Sequence, residues 1–166
     1  MPGAGSAHDR PVMVASVLRR ILRWDGWLAP CAGSDDLTFH DLEAVRLGLR
    51  ERVEEPRRPF QLAQVQWTHV VDTHDREQAL RVQLPLFRSL MGGGHRDEHF
   101  TQSYLLGSID DVRRRVGRLR EAGFEELIVG PVTHDPAQME LIADVFRGAA
   151  ADGGASAGGP GGMTHA

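Results

Sequence analysis

The chain has 166 residues, 19 basic against 23 acidic side chains, eight histidines and a formal charge of −4, and at 41% hydrophobic and 25% charged it has the composition of a globular protein with a core. No run approaches the ~18–20 consecutive apolar residues of a membrane span, and a mildly acidic balance without an arginine-dominated face argues against a nucleic-acid partner. All 19 basic residues are arginine, which excludes lysine Schiff-base and Walker-type phosphate chemistry, and the single Cys31 excludes an internal disulfide or a multi-cysteine zinc site.

The opening MPGAGSAHD (1–9) is small and polar, with no basic segment leading into an apolar one, so a disordered N-terminus and a cytoplasmic location are expected. Residues 10–147 carry the signals of one domain. Pro11 to Ala15 is a short apolar run that reads as a buried strand. A helix follows, with Val17, Leu18, Ile21 and Leu22 on one side. Gly26 to Ala29 reads as a second strand, ended by Pro30. Thr38 and Asp41 have the spacing of a capping box for a helix carrying Leu42, Val45, Leu49 and Val53, which stops before Pro56.

Phe60 to Val71 alternates apolar and polar residues as a longer third strand. Asp72 or Thr73 is placed to cap the next helix, which Pro85 should kink or break. GGGHRDEHFTQS reads as a loop. Ser108 and Asp111 form a second capping box, Val112, Val116 and Leu119 a buried stripe, and Gly123 a left-handed C-terminal cap. Leu127 to Val129 is the fourth strand, and Asp135–Pro136 opens the last helix. The tail 148–166 is glycine- and alanine-rich, too poor in packing side chains to offset its ordering entropy, and reads as disordered. Strand and helix repeated four times imply a parallel sheet covered by helices.

Leu18 to Pro30 (LRRILRWDGWLAP), Val70 to Leu80 (VVDTHDREQAL) and Leu106 to Val145 (opening LGSIDDVRRRVGRLREAGFEELIVGP) together resemble, in order, segments of the luciferase-like flavin-dependent monooxygenases and their coenzyme F420-using relatives. The resemblance implies a (β/α)8 TIM barrel, of which a chain this short holds the last four βα units, since a full barrel takes ~250 residues. It implies a flavin- or F420-dependent oxidoreductase or monooxygenase acting on a small-molecule substrate, incomplete as a single chain and completed by a second copy or by an N-terminal half. The alternative is a non-catalytic half-barrel acting as a binding or assembly partner, or a truncated reading frame. It also implies a cofactor, FMN or F420, near Ala15, Ser16 and Val17, which follow the first strand, with Trp27 at the cavity wall. The glycine-rich turn that normally lets a backbone approach a phosphate is replaced here by Ala15-Ser16-Val17.

In such barrels functional groups sit at the C-terminal ends of the strands. That selects Ala15 and Ser16, Ala29 to Cys31, Asp72 to His74 and Gly130 to His134. Ser16 also reads as an ordinary helix N-cap, and Trp24 and Trp27 as core packing. Cys31 has no evident cation to activate it. His69, His74 and His134 are ordinary surface histidines unless a ligand meets them. His95 and His99 are four residues apart, but in a loop context that assigns no metal site. The Arg113–Arg115 run, with Arg118 and Arg120, reads as a solvated helix face. No catalytic residue can be named from spacing.

Overall fold

The computed structural model describes residues 13–31, 33–51, 59–92 and 94–152. In chain order these form α1 (Ala15–Ile21), β1 (Gly26–Ala29), α2 (Asp35–Arg50), β2 (Gln61–Thr68), α3 (Arg76–Met91), α4 (Asp97–Ser103), α5 (Ile109–Glu121), β3 (Glu126–Pro131) and α6 (Pro136–Asp152). The strands make one parallel sheet in the order β1-β2-β3, with Trp27 opposite Leu62 and Val65 opposite Ile128. Parallel strands need long crossovers. Here α2 makes the first crossover, and α3, α4 and α5 make the second.

Local chemistry explains most boundaries. The Ser34 hydroxyl caps α2 by accepting from the Leu37 N–H at 3.4 Å, and Asp35 and Asp36 sit where the helix dipole favours negative charge. Thr38 therefore lies one turn inside the helix instead of capping it. Its hydroxyl donates to the Ser34 carbonyl, and Asp41 accepts the Met13 N–H at 3.0 Å. Asp75, not Asp72 or Thr73, caps α3 by accepting from Glu77 and Gln78. Pro85 does not break that helix, because it lies on the exposed side, where solvent can satisfy the carbonyl it leaves free. Ser108 and Asp111 complete a reciprocal capping box, and Gly123, at φ +93°, ends α5 as the pattern required. The segment read as the loop GGGHRDEHFTQS instead contains α4, anchored by the fully buried Phe100.

The first expected strand is not observed. Pro11 and Val12 lie outside the described residues, Met13 and Val14 are irregular, and Ala15 already begins α1. The Met13 N–H goes to the Asp41 carboxylate instead of a sheet neighbour, so nothing supports a ladder there. The described residues thus form three strands and six helices, an α/β arrangement like part of a barrel, and not four βα units. α6 runs to Asp152, past the boundary expected at 147, and residues 153–166 lie outside the described residues.

The core lies between one face of the sheet and the helices. Trp27, Ala29 and Leu62 pack with Leu42 and Val45 of α2 and with Leu119 and Phe124. Val112 and Val116 of α5 pack with Ile142 and Val145 of α6 beneath Leu127 and Val129. On β2 this covered face reads Leu62, Gln64, Gln66, Thr68, all buried, while the opposite face carries Ala63, Val65 and Trp67. The flanking strands present Leu28 and Ile128 on that second face, each about half exposed. This second face is apolar and only partly buried, with Trp67 packed against the cluster of Phe87, Phe100 and Leu106, while glutamines are buried on the first, the reverse of a sheet with one solvated face.

Candidate site at the strand C-termini

The chain leaves β2 through Thr68, His69 and Val70, and this turn is fixed from every side. The Thr68 hydroxyl donates to the Leu105 carbonyl at 2.7 Å, and the Thr68 carbonyl accepts from the Val132 N–H at 3.0 Å. Gln83, fully buried on α3, donates through Nε2 to the carbonyls of His69 (2.8 Å) and Gly107 (3.0 Å) and accepts the Gly107 N–H at 2.8 Å. Gln138, buried on α6, accepts the Val70 N–H at 2.9 Å and donates to the Val70 carbonyl at 3.0 Å. Two glutamines from different helices thus take the place of a neighbouring strand for two successive peptide units. Buried backbone groups must be paired, and this clamp pairs them where the sheet ladder ends.

The clamp sets the position of His69. Its side chain is half-buried, Nδ1 is enclosed without a hydrogen-bond partner, and burial pushes its pKa below the ordinary histidine range, with the Asp135 carboxylate partly opposing. Asp135 stands at the start of α6, accepting the Ala137 N–H at 3.0 Å, as the Asp-Pro pair predicted. The Thr133 hydroxyl, two residues before Asp135, is also enclosed and unpartnered. Trp67 lies beside Gly130 of β3, where an added Cβ would stand 2.8 Å from the indole, so glycine makes room for the ring. Trp67 also packs against the cluster of Phe87, Phe100 and Leu106, as do Leu80, Leu84 and Val132.

A second polar centre stands behind the sheet. Arg115, read as part of a solvated face, is largely buried. It pairs with the buried Asp35 at 2.8 Å and donates to the carbonyls of Thr101, Gln102 and Tyr104, tying α5, α2 and the end of α4 together. Arg118 behaves more as expected: half exposed, it lies over the Phe39 ring and reaches Asp35 and Asp36 at 3.6 and 3.7 Å. Cys31 does have a cation nearby, this same Arg115, yet burial outweighs it and pushes the thiol above its usual range. A thiol so placed is a weak nucleophile at neutral pH.

The residues singled out for a cofactor are not gathered into one site. Ala15, Ser16 and Val17 are exposed at the start of α1, whose N-cap is Val14 without a side-chain bond. Trp27 is buried in the core, 6.3 Å from the Phe124 ring, and otherwise lines only a small cleft of about 50 Å³ beside Pro30 and Asp41. Trp24, expected in the core, is exposed because α1 ends before it can turn inward. His74 lies 2.7 Å from Asp110 at the surface and His134 is exposed. The His95 and His99 rings stack at 4.5 Å. Among the described residues no group of three or more His, Cys, Asp or Glu side chains could hold a metal. The clamp was missed because a lone glutamine inside a helical pattern gives no signal of the carbonyl it will meet.

No protein-family model matches the chain, and no curated protein matches it by sequence. By structure it is similar to an F420-dependent secondary alcohol dehydrogenase, solved with an F420-acetone adduct, with a TM-score of 0.53 and 16% sequence identity over 75% of this chain. The chain spans 42% of the length of that structure. This likeness concerns the fold alone: three parallel strands and six helices, among the described residues, that resemble part of a TIM-like barrel. Among the described residues, no helix is long and apolar enough to cross a membrane.

Proposed function

We propose that this chain is part of a luciferase-like oxidoreductase barrel that uses a deazaflavin of the F420 type, with FMN as the second choice, on a small-molecule substrate. The observation that carries the reading is the fold likeness to an F420-dependent enzyme, with the built turn at His69 on the barrel's functional end. The face of Ala63 and Val65, with Trp67 lying over Gly130 at its end, is apolar and only partly buried, which supports a planar aromatic partner there. The phosphate end fits less well, since Ser16 and the exposed start of α1 replace a glycine turn; Ala15, Ser16 and Val17 are its proposed contacts. When bound, such a coenzyme supplies the hydride transfer or oxygen chemistry, and the chain supplies position and electrostatics.

The reading includes a complementary half, either a second copy or a chain carrying the other strands. The inverted pattern of β2, apolar on the uncovered face, supports that closure. A non-catalytic half-barrel that only assembles is the second reading, favoured by the same open face.

Fluorescence titration of the purified chain with F420 and FMN tests the main reading, run alone and after light scattering has fixed the oligomeric state. Saturable F420 binding tighter than FMN is expected. Binding of neither coenzyme by the assembled form refutes the oxidoreductase and leaves assembly alone; a stable monomer refutes closure by a second copy.

A further inference from the structure

We propose that a second copy of this chain completes the sheet, with the β3 edge of each copy pairing in parallel with the β1 edge of the other around a two-fold axis along the strands. The inference rests on the closure included in the function proposed above, but not on any coenzyme. Its starting point is the strand order β1-β2-β3. Among the described residues, the two edges without a strand neighbour belong to different strands that run the same way. Each presents backbone N–H and C=O groups that a further parallel strand would pair.

Charge decides which edge meets which. The segment from α1 through β1 carries Arg19, Arg20 and Arg23, all exposed, against the single acid Asp25. From Glu125 to Arg147, β3 and the helix after it carry the exposed acids Glu125, Glu126, Asp135, Glu140 and Asp144, and their one arginine, Arg147, is already paired with Asp144. None of Arg19, Arg20, Arg23, Glu125, Glu126 and Glu140 makes an ion pair within the described residues. Joining like edges would set arginine beside arginine or acid beside acid, whereas joining β3 to a second copy's β1 sets opposite charges together. Parallel pairing also brings these charges to one end: Arg23 stands three residues before β1, and Glu125 and Glu126 stand where β3 begins.

Apolar exposure is distributed to match. Of the nine large hydrophobic side chains left exposed among the described residues, Val14, Val17, Trp24 and Leu28 lie from the start of α1 through β1, and Ile128 and Met139 on β3 and α6. With each about half exposed, and roughly 150–250 Å² to a large side chain, the six offer on the order of 600 Å² per copy. Two copies reach the ~1,200 Å² at which specific interfaces begin, before the backbone edges are counted. The two-fold is what closes the arrangement. A β3-to-β1 contact is head-to-tail and would otherwise continue as a filament, but a two-fold along the strands makes both junctions at once.

The test uses the full chain without coenzyme, its mass followed by sedimentation over a range of protein and salt concentrations. A mass of two chains is expected, with a dissociation constant that rises with salt. Arg20→Glu with Arg23→Glu, and separately Glu125→Arg with Glu126→Arg, place like charges at both junctions and should each raise that constant about tenfold or more. Unfolding midpoints should stay near that of the unaltered chain, since all four positions are exposed. An equimolar mixture of the two variants should restore the dimer, because in a mixed pair both junctions again oppose unlike charges. Where a double substitution lowers the midpoint, Arg23→Glu and Glu126→Arg are mixed singly in the same way.

A monomer, a series of masses beyond two chains, or variants that do not recombine on mixing would overturn the inference. A monomer that binds F420 or FMN overturns only the inference. A dimer of the expected behaviour that binds neither coenzyme overturns only the oxidoreductase reading.

Discussion

Replacing Gln83 by methionine tests whether the clamp holds the mouth of the sheet. Methionine keeps the length and unbranched shape of the side chain and adapts to its pocket, so little of the effect would come from packing. Three hydrogen bonds disappear, those to the His69 and Gly107 carbonyls and from the Gly107 N–H. Gly107 cannot readily turn to find others, since its φ of +117° is fixed beside Asp111 and an added Cβ would stand 2.6 Å from the carboxylate.

Each buried bond is worth about 1 kcal/mol net, and an orphaned buried N–H costs about 1–3 kcal/mol, so the substitution should cost about 2–4 kcal/mol. That is a large share of the ~5–15 kcal/mol that holds a domain together. Urea unfolding should show a lower midpoint at an unchanged slope. Gln138→Met removes two bonds, to Val70, and should cost less. Because both glutamines hold adjacent peptides, the double variant should depart from additivity. A loss below about 0.5 kcal/mol for Gln83→Met would mean that solvent pairs the freed groups, and the clamp would have no energetic role.

Arg115→Met should be among the most damaging single changes, at about 3–5 kcal/mol, because it leaves the buried Asp35 with only its longer contact to Arg118 and frees the carbonyls of Thr101, Gln102 and Tyr104. Denaturant unfolding of the two single variants and of Arg115→Met with Asp35→Asn checks it; the double variant should recover part of the loss, and equal additive losses would contradict the pairing. Asp111 sets an acid dependence: burial raises its pKa, but its bonds from the Ser108 backbone, Arg114, Arg76 and the Ser108 hydroxyl outweigh that and leave it lowered. A carboxylate depressed on folding contributes stability above its unfolded value of about 3.9 that is lost as pH falls through the folded value. Unfolding midpoints measured from pH 6 to roughly pH 3 should therefore fall less steeply in Asp111→Asn than in the unaltered chain.

The elements legible in the sequence were those decided locally. Ser108 with Asp111, Asp135 with Pro136, and Gly123 each act within one turn of their own helix, and the structure has all three. The errors arose where distant partners decide. Pro11 to Ala15 has strand composition, but the Met13 N–H finds Asp41, 28 residues away, and α1 begins at Ala15. Arg115 sits within a run of arginines that helical periodicity assigns to solvent, yet Asp35, 80 residues away, draws it inward. Gln83 and Gln138 were invisible for the same reason. Pairing with a carbonyl across the fold leaves no local pattern, and their partners sit 14 to 68 residues away.

The two pairs of buried glutamines bear on the proposed closure of the sheet. Gln83 and Gln138 are satisfied, and both act at the strand C-termini. Gln64 and Gln66, on the helix-covered side of β2, bury the Gln64 Oε1 and both Gln66 amide atoms without a protein partner. Placing polar side chains there and Ala63, Val65 and Trp67 on the uncovered side would be a poor choice for a sheet that keeps one face in water. It is a reasonable choice for a strand whose two faces are both enclosed, because the apolar side then gains the burial it lacks now. Leu28 and Ile128, half exposed beside that row, lose the same exposure in one event. Among the described residues β1 and β3 each have one edge without a strand neighbour, and closure would pair them, removing the hazard that open strand edges carry.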